Sequence, residues 1–176
     1  MVVVEYDKEW PQDFLKIKTE LQKAITVMSN IQHVGSTSIP GMKAKPIIDI
    51  DVGLENWSDF EAVKRALAEI GYEYEGDRGI KGREAFCRNG KVQNKILDNI
   101  DHHLYVCSVD NEEYKRHILF RDYLRNHDEA RDRYNQIKEE ILAKVGPENR
   151  AGYVQMKEEN YRDFFEDVIS KAQYVV

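Results

Sequence analysis

The chain has 176 residues, 41% of them hydrophobic and 33% charged, with a formal net charge of −6. That composition belongs to a globular protein long enough to bury roughly 70% of its unfolded surface. It holds no apolar run near the roughly 18 to 20 residues of a membrane helix, and its acidic balance excludes a general nucleic-acid coat protein, which needs a basic footprint. One compact domain over residues 1–176 is expected, with a sheet-containing core at 1–109 and a helical part at 110–176.

The N-terminal ten residues lack the basic region and long apolar core of a secretory signal, so a cytoplasmic location and no membrane partner are expected. Cys87 and Cys107 have no C-x-x-C or Cys/His spacing, which reads as two reduced thiols. Phe14, Ile17, Leu21, Ile25 and Met28 recur at steps of three and four, predicting a first helix that runs to about Ser29, with Asp7 as N-cap and Pro11 in the first turn. A short strand at 31–34 then delivers Gly35 and Ser36, and a loop with Pro40, Gly41 and Pro46 leads to a strand at 47–52.

That second strand reads I-I-D-I-D-V. Side chains alternate along a strand, so Asp49 and Asp51 share one face while Ile48, Ile50 and Val52 share the other. Two strand steps put the carboxylates about 6 to 7 Å apart, where two unneutralised charges repel by about 2.5 kcal/mol at an effective dielectric near 20. A divalent cation is the most economical partner, and pairing with Lys43, Lys45 or Arg83 is the alternative.

Ser58 and Glu61 form the pattern of a capping box for a helix whose stripe is Phe60, Val63, Leu67 and Ile70, ended by Gly71. Strands follow at 72–75 and 84–88, and Asn89-Gly90 predicts a hairpin whose partner runs through Val92 and Ile96. Residues 76–95 carry six basic side chains against two acidic ones, which suits either a small polyanion or a solvated loop. The strand at 101–106 places Leu104 and Val106 toward the core with His102, and Asp101, His103 and Tyr105 on the opposite side. Beyond Asp110 three helices are expected, on the stripes Tyr114 to Tyr123, Tyr134 to Val145, and Tyr153 to Val168, with Gly146-Pro147 closing the second and Asn149 capping the third.

The turn Gly35-Ser36-Thr37 is not a P-loop, because no Lys-Ser/Thr closes it. It reads as a plain tight turn or as a nest in which backbone N–H groups and a hydroxyl hold an anion. Combined with Asp-x-Asp on the next strand it points to metal-assisted phosphoryl chemistry, in which carboxylates hold the cations that organise the phosphates, and oxygen ligands suit Mg²⁺. His102-His103 lacks the companion spacing of a zinc site.

The stretch HVGSTSIPGMKAKPIIDIDVGL, the loop GIKGREAF, the strand HHLYV and the helix FRDYLRNHDEARDRYNQIKEEILA together resemble the GrpB-like family, whose domains are similar to the nucleotidyltransferase superfamily fold. The similarity covers about residues 6–165. It implies an α/β (α+β) fold, a mixed sheet flanked by helices with a helical C-terminal part, in which Gly35-Ser36 matches the superfamily's glycine-serine signature and Asp49 and Asp51 its metal pair. Where active transferases carry a third carboxylate this chain has His102-His103-Leu104-Tyr105-Val106, so His103 or Asp101 is the expected third ligand or base. The implied activity is Mg²⁺-dependent transfer of a nucleoside monophosphate from a nucleoside triphosphate (NTP) to an unknown acceptor. The alternative is an inactive module binding a nucleotide or coenzyme. Gly35, Ser36, Thr37, Lys45, Arg83, His102 and Arg121 are the expected substrate contacts.

Overall fold

The strand periodicity is realised in a five-stranded sheet, which the computed structural model sets out within its described residues 3–173. The strands are β1 (Ser29–Val34), β2 (Ile48–Leu54), β3 (Tyr72–Tyr74), β4 (Arg83–Arg88) and β5 (His102–Ser108), in the order β1-β2-β5-β4-β3. β2 and β5 are parallel and the other neighbours antiparallel, so the sheet is mixed. A parallel pair needs a long crossover, and here it runs through α2 (Phe60–Glu69), β3, β4 and α3 (Lys95–Asn99).

One face of the sheet carries Ile48, Ile50, Val52 and Leu54 beside Leu104 and Val106, packed against α1 (Trp10–Ala24) through Trp10, Phe14, Ile17 and Leu21 and against α2 through Val63 and Leu67. Each fully buried aliphatic side chain contributes roughly 1.5 to 3 kcal/mol. On the other face Asp51 and Gly53 lie under α4 (Glu112–Asn126), and Asp49 lies against the turn at Gly35. A second core joins Leu124 of α4 to Tyr134, Ile137 and Ile141 of α5 (Asp128–Val145), with Ile39 and Met42 of the β1–β2 loop, and α6 (Arg150–Asn160) and α7 (Arg162–Gln173) pack onto it. The aspartates therefore face the seam between sheet and helical layer.

Several local expectations are corrected. α1 ends at Ala24, not near Ser29. The β-branched run Ile25-Thr26-Val27 favours extended backbone, and Met28 is 74% exposed. Ser58 and Glu61 form no capping box, because Trp57–Asp59 is a 3₁₀ turn and Asp59 caps α2 without a side-chain bond, while the Trp57 ring stacks on Phe60 at 4.7 Å. Asn89-Gly90 opens no hairpin. The Arg88 guanidinium donates to the carbonyls of Ile70 and Val92 and to Asp98, folding the segment back, and the Asn94 side chain caps α3 where a strand was expected.

The third C-terminal helix is two helices. At Tyr161 the backbone leaves helical geometry (φ −124°, ψ 12°), the phenol donates to Glu140 of α5 at 2.7 Å, and Phe165 packs edge-on against Tyr134. Gly146 does end α5 and Asn149 does cap α6, accepting from the Gly152 N–H at 2.9 Å. Three of the six basic side chains in 76–95 have local acidic partners, Arg78 with Glu75, Arg88 with Asp98 and Lys91 with Glu73. Both cysteines are free thiols, and burial pushes the Cys107 thiol far above its usual range. Among the described residues no helix is long and apolar enough to cross a membrane.

Candidate active site

The β1–β2 connection places a glycine where no other residue fits. Gly35 has φ +68° and ψ −172°, and a Cβ there would stand 2.3 Å from Asp49 Oδ2. The turn consequently closes directly on the carboxylate. Asp49 Oδ1 accepts from His103 Nδ1 at 2.8 Å, because parallel pairing sets Asp49 opposite His103. The side chains of both are partly exposed.

Asp51 sits one repeat deeper and is completely buried. Its Oδ2 accepts from His117 Nδ1 of α4 at 2.6 Å, and its Oδ1 has no hydrogen-bond partner among the described residues. The Tyr114 hydroxyl is likewise buried without a partner. Tyr114 comes so close because β2 has Gly53 there, where a Cβ would meet the phenol ring at 2.6 Å. In each aspartate–histidine pair the ring donates Nδ1–H to the carboxylate, and in its neutral form such a ring carries a lone pair on Nε2.

Cations surround the turn. Lys138 of α5, buried, donates to Ser36 Oγ at 2.7 Å and to the Lys43 carbonyl. Burial and the neighbouring Lys157 push its ammonium down to about 7, and burial also lowers Lys157. Behind the turn His33 stacks on Phe14 at 4.8 Å and donates to Thr37 Oγ1 at 3.0 Å, and its burial beside Arg125 pushes it down to about 4. Arg125 donates through two nitrogens to the Ser38 carbonyl at 2.9 and 2.7 Å, and Arg121 to the His33 carbonyl at 3.0 Å, so α4 clamps both ends of the turn.

The depressed Lys138 has a measurable consequence. Its folded pKa of about 7 lies below the usual value of 10.5, so between those limits the unfolded chain binds the extra proton and stability rises with pH. In urea titrations from pH 7 to 9, Lys138→Met is expected to remove that rise, by at most about 1.4 kcal/mol per pH unit. Parallel curves for the two chains would show that Lys138 is charged and compensated in the fold.

Two cavities meet at this point. One of about 450 Å³ lies between the turn and helices α4, α6 and α7, walled by Phe120, Tyr134 and Phe165. The other, of about 310 Å³, lies on the His103 side, lined by Thr37, Lys45 and Lys138. Asp49, Ser36, Tyr134 and Lys157 line both. Of the expected substrate contacts, Gly35, Ser36 and Arg121 reach the first cavity and Ser36, Thr37 and Lys45 the second.

The others lie elsewhere. Arg83 lies over the Tyr105 ring at 3.7 Å, while His102 donates Nδ1–H to the Ile100 carbonyl and accepts from the Tyr72 hydroxyl on the opposite face of the sheet. Asp101 is exposed just before β5, where its carbonyl accepts from the Ile48 N–H at 3.0 Å. Neither Lys43 nor Arg83 pairs with the aspartates: Lys43 bridges Glu5 and Glu139.

The family model described as GrpB protein matches residues 1–170. The chain belongs to the GrpB family. It is 30% identical over 173 residues to the glutamate-rich protein GrpB of Alkalihalophilus pseudofirmus, covering 97% of this chain and 95% of that protein. It is 32% identical over 158 residues to UPF0157 protein YqkA of Bacillus subtilis, covering 89% of this chain, and so spans only 44% of YqkA. The crystal structure of GrpB from Enterococcus faecalis superposes with a TM-score of 0.79 at 29% identity, over 97% of this chain and 98% of that one. Cid1 poly(U) polymerase bound to MgATP superposes with a TM-score of 0.52 at 10% identity, over 81% of this chain and 45% of Cid1. At that identity the likeness concerns the fold, which is α+β and nucleotidyltransferase-like.

The GrpB-family site can be tested against the metal that such a fold implies. Mg²⁺ is usually held by one or two carboxylates together with the phosphates of its substrate. Asp49 lines both cavities and can supply one such carboxylate, and Asp51, which lines neither, holds a buried carboxylate oxygen without a partner, Oδ1, that a cation would satisfy. No group of three or more His, Cys, Asp or Glu among the described residues is arranged to hold a metal by itself, and Asp101 lines neither cavity.

His117, Lys138 and Lys157 were not anticipated from the sequence. The signal for His117 was present in α4, where the buried positions are Tyr114, Arg121 and Leu124, with Ile118 and Leu119 only partly covered. Polar residues at i and i+4 on the covered side of a helix mark a face turned toward a polar partner.

Proposed function

We propose that this GrpB-family chain is a Mg²⁺-dependent nucleotidyltransferase, binding an NTP in the 450 Å³ cavity and transferring its nucleoside monophosphate to an acceptor. The observation that carries this reading is the pair Asp49 and Asp51 on one face of β2, with the Gly35-Ser36 turn closed on the first of them. Mg²⁺ bound there with a nucleotide would neutralise phosphate charge. The aromatic walls Phe120, Tyr134 and Phe165 offer flat surfaces for a base, and Arg116 and Arg162 offer guanidinium groups for phosphate oxygens.

In the transfer, an acceptor oxygen attacks the α-phosphorus, the bond to the β-phosphate oxygen breaks and pyrophosphate leaves. His103 takes the acceptor's proton on Nε2, and Asp49 holds the ring through Nδ1. A second reading, a nucleotide-binding module without turnover, is favoured by one feature: each aspartate already accepts from a histidine.

Calorimetry with a non-hydrolysable NTP analogue, with and without Mg²⁺, tests the common part of both readings, and pyrophosphate release from NTPs separates them. Binding that requires Mg²⁺ is expected. Binding indifferent to Mg²⁺ would remove the metal from the site, and metal-dependent binding with no pyrophosphate release across acceptor classes would favour the module.

A further inference from the structure

The two cavities differ in charge. In the larger one Arg116, Arg121, Lys157 and Arg162 face four carboxylates, Asp49, Glu113, Glu158 and Glu166, and Arg116 is already paired with Glu166 at 3.1 Å. In the smaller one Lys45, Lys138, Arg150 and Lys157 face a single carboxylate, Asp49. Neither Lys138 nor Lys157 forms an ion pair among the described residues. Lys138 is only 3% exposed, and its ammonium reaches a hydroxyl, a carbonyl and the Tyr134 ring at 4.4 Å, while that of the partly exposed Lys157 lies over the Phe165 ring at 4.8 Å. An ammonium withdrawn from water without a counter-charge is costly and is stabilised by any anion that reaches it. Lys138 is such a group, and with Lys45, Arg150 and Lys157 on the same cavity wall the cations outnumber the one carboxylate there, Asp49, which leaves room for an added anion.

The position of this cavity says which anion. It shares Asp49 and Ser36 with the larger cavity, and it alone contains His103. A ligand seated there presents its free end to Asp49 and His103, where a nucleotide in the neighbouring cavity would place its reacting phosphate. We propose that the 310 Å³ cavity is the acceptor site and that the acceptor is a small molecule carrying a phosphate group, held by Lys45, Lys138 and Lys157, with a hydroxyl directed to His103. Several ammonium groups lining one cavity suit a phosphate dianion, and the volume suits a small molecule. This assignment rests on the nucleotidyl-transfer reading. Depression of Lys138 by burial and by Lys157 is the expected signature of a cation site awaiting its anion.

The test uses the full chain and inorganic phosphate as probe. Phosphate is titrated by calorimetry into the protein alone and into protein saturated with the non-hydrolysable NTP analogue and Mg²⁺. One phosphate is expected to bind in both cases, at least tenfold more weakly in Lys138→Met and at least threefold more weakly in Lys45→Gln. Lys45 is exposed, so its variant keeps the test open if Lys138→Met misfolds. Displacement of phosphate by the analogue would mean that the nucleotide's own phosphates fill the cavity, and would overturn the proposal. So would phosphate binding unchanged in both variants, or none at all. Phosphate binding that depends on Lys138 in a chain that ignores the analogue would leave the anion site standing and defeat the nucleotide reading.

Discussion

Gly35→Ala is expected to destabilise the fold by about 3 kcal/mol and to abolish nucleotide binding in whatever fraction stays folded. The backbone there, φ +68° and ψ −172°, lies in a region essentially reserved for glycine, and forcing another residue into it costs roughly 1 to 3 kcal/mol. The added methyl would stand 2.3 Å from Asp49 Oδ2 and 3.0 Å from its Cβ and Cγ. Relief requires either Asp49 to swing away from His103 or the turn to lift from β2, where Arg121 and Arg125 hold its two ends. Urea unfolding reads the stability loss and calorimetry the binding loss. A variant of unchanged stability that still bound the analogue would show that the close approach of turn and carboxylate is dispensable.

Asp49→Asn separates the site from the fold. Asn keeps the shape and an oxygen to accept from His103, and Asp49 is partly exposed, so stability should move by less than about 1 kcal/mol. Mg²⁺-dependent affinity for the analogue should fall by roughly 100-fold, about 2.8 kcal/mol, because the charge that would hold the cation is gone. Asp51→Asn should differ in kind. That side chain is 0% exposed with one oxygen already lacking a partner, so an amide buried there without an acceptor costs about 1 to 3 kcal/mol of stability. Retention of full Mg²⁺-dependent binding in Asp49→Asn would remove the carboxylate from the metal site.

Much of the sheet was legible because its signals are local. Strand alternation sorted Ile48, Ile50 and Val52 from Asp49 and Asp51, and Leu104 and Val106 from His103, and the structure keeps both sortings. Gly146 and Asn149 were readable as helix punctuation because capping is decided within a few residues. The failures share a cause. Ser58 and Glu61 and Asn89-Gly90 are good local motifs that packing overrode, through the Trp57–Phe60 stack and the bonds of Arg88. The break at Tyr161 has no glycine or proline to announce it and depends on a bond to α5.

By itself, then, the sequence determined which residues share a strand face, where the small-residue turn precedes the two aspartates, and that a layer of helices follows the sheet. These depend on periodicities of two and 3.6 and on short-range capping, which a chain carries locally. Only the tertiary structure decided what meets the aspartates. His103 reaches Asp49 through the register of a parallel pair 54 residues apart, His117 reaches Asp51 across 66, and Lys138 reaches Ser36 across 102. Contacts over such separations are set by how layers stack and by what burial does to charge, and neither is encoded in a local pattern. The same stacking left Lys138 buried without an ion pair and gathered it with Lys45, Arg150 and Lys157 around the single carboxylate of Asp49, the feature on which the proposed acceptor site rests.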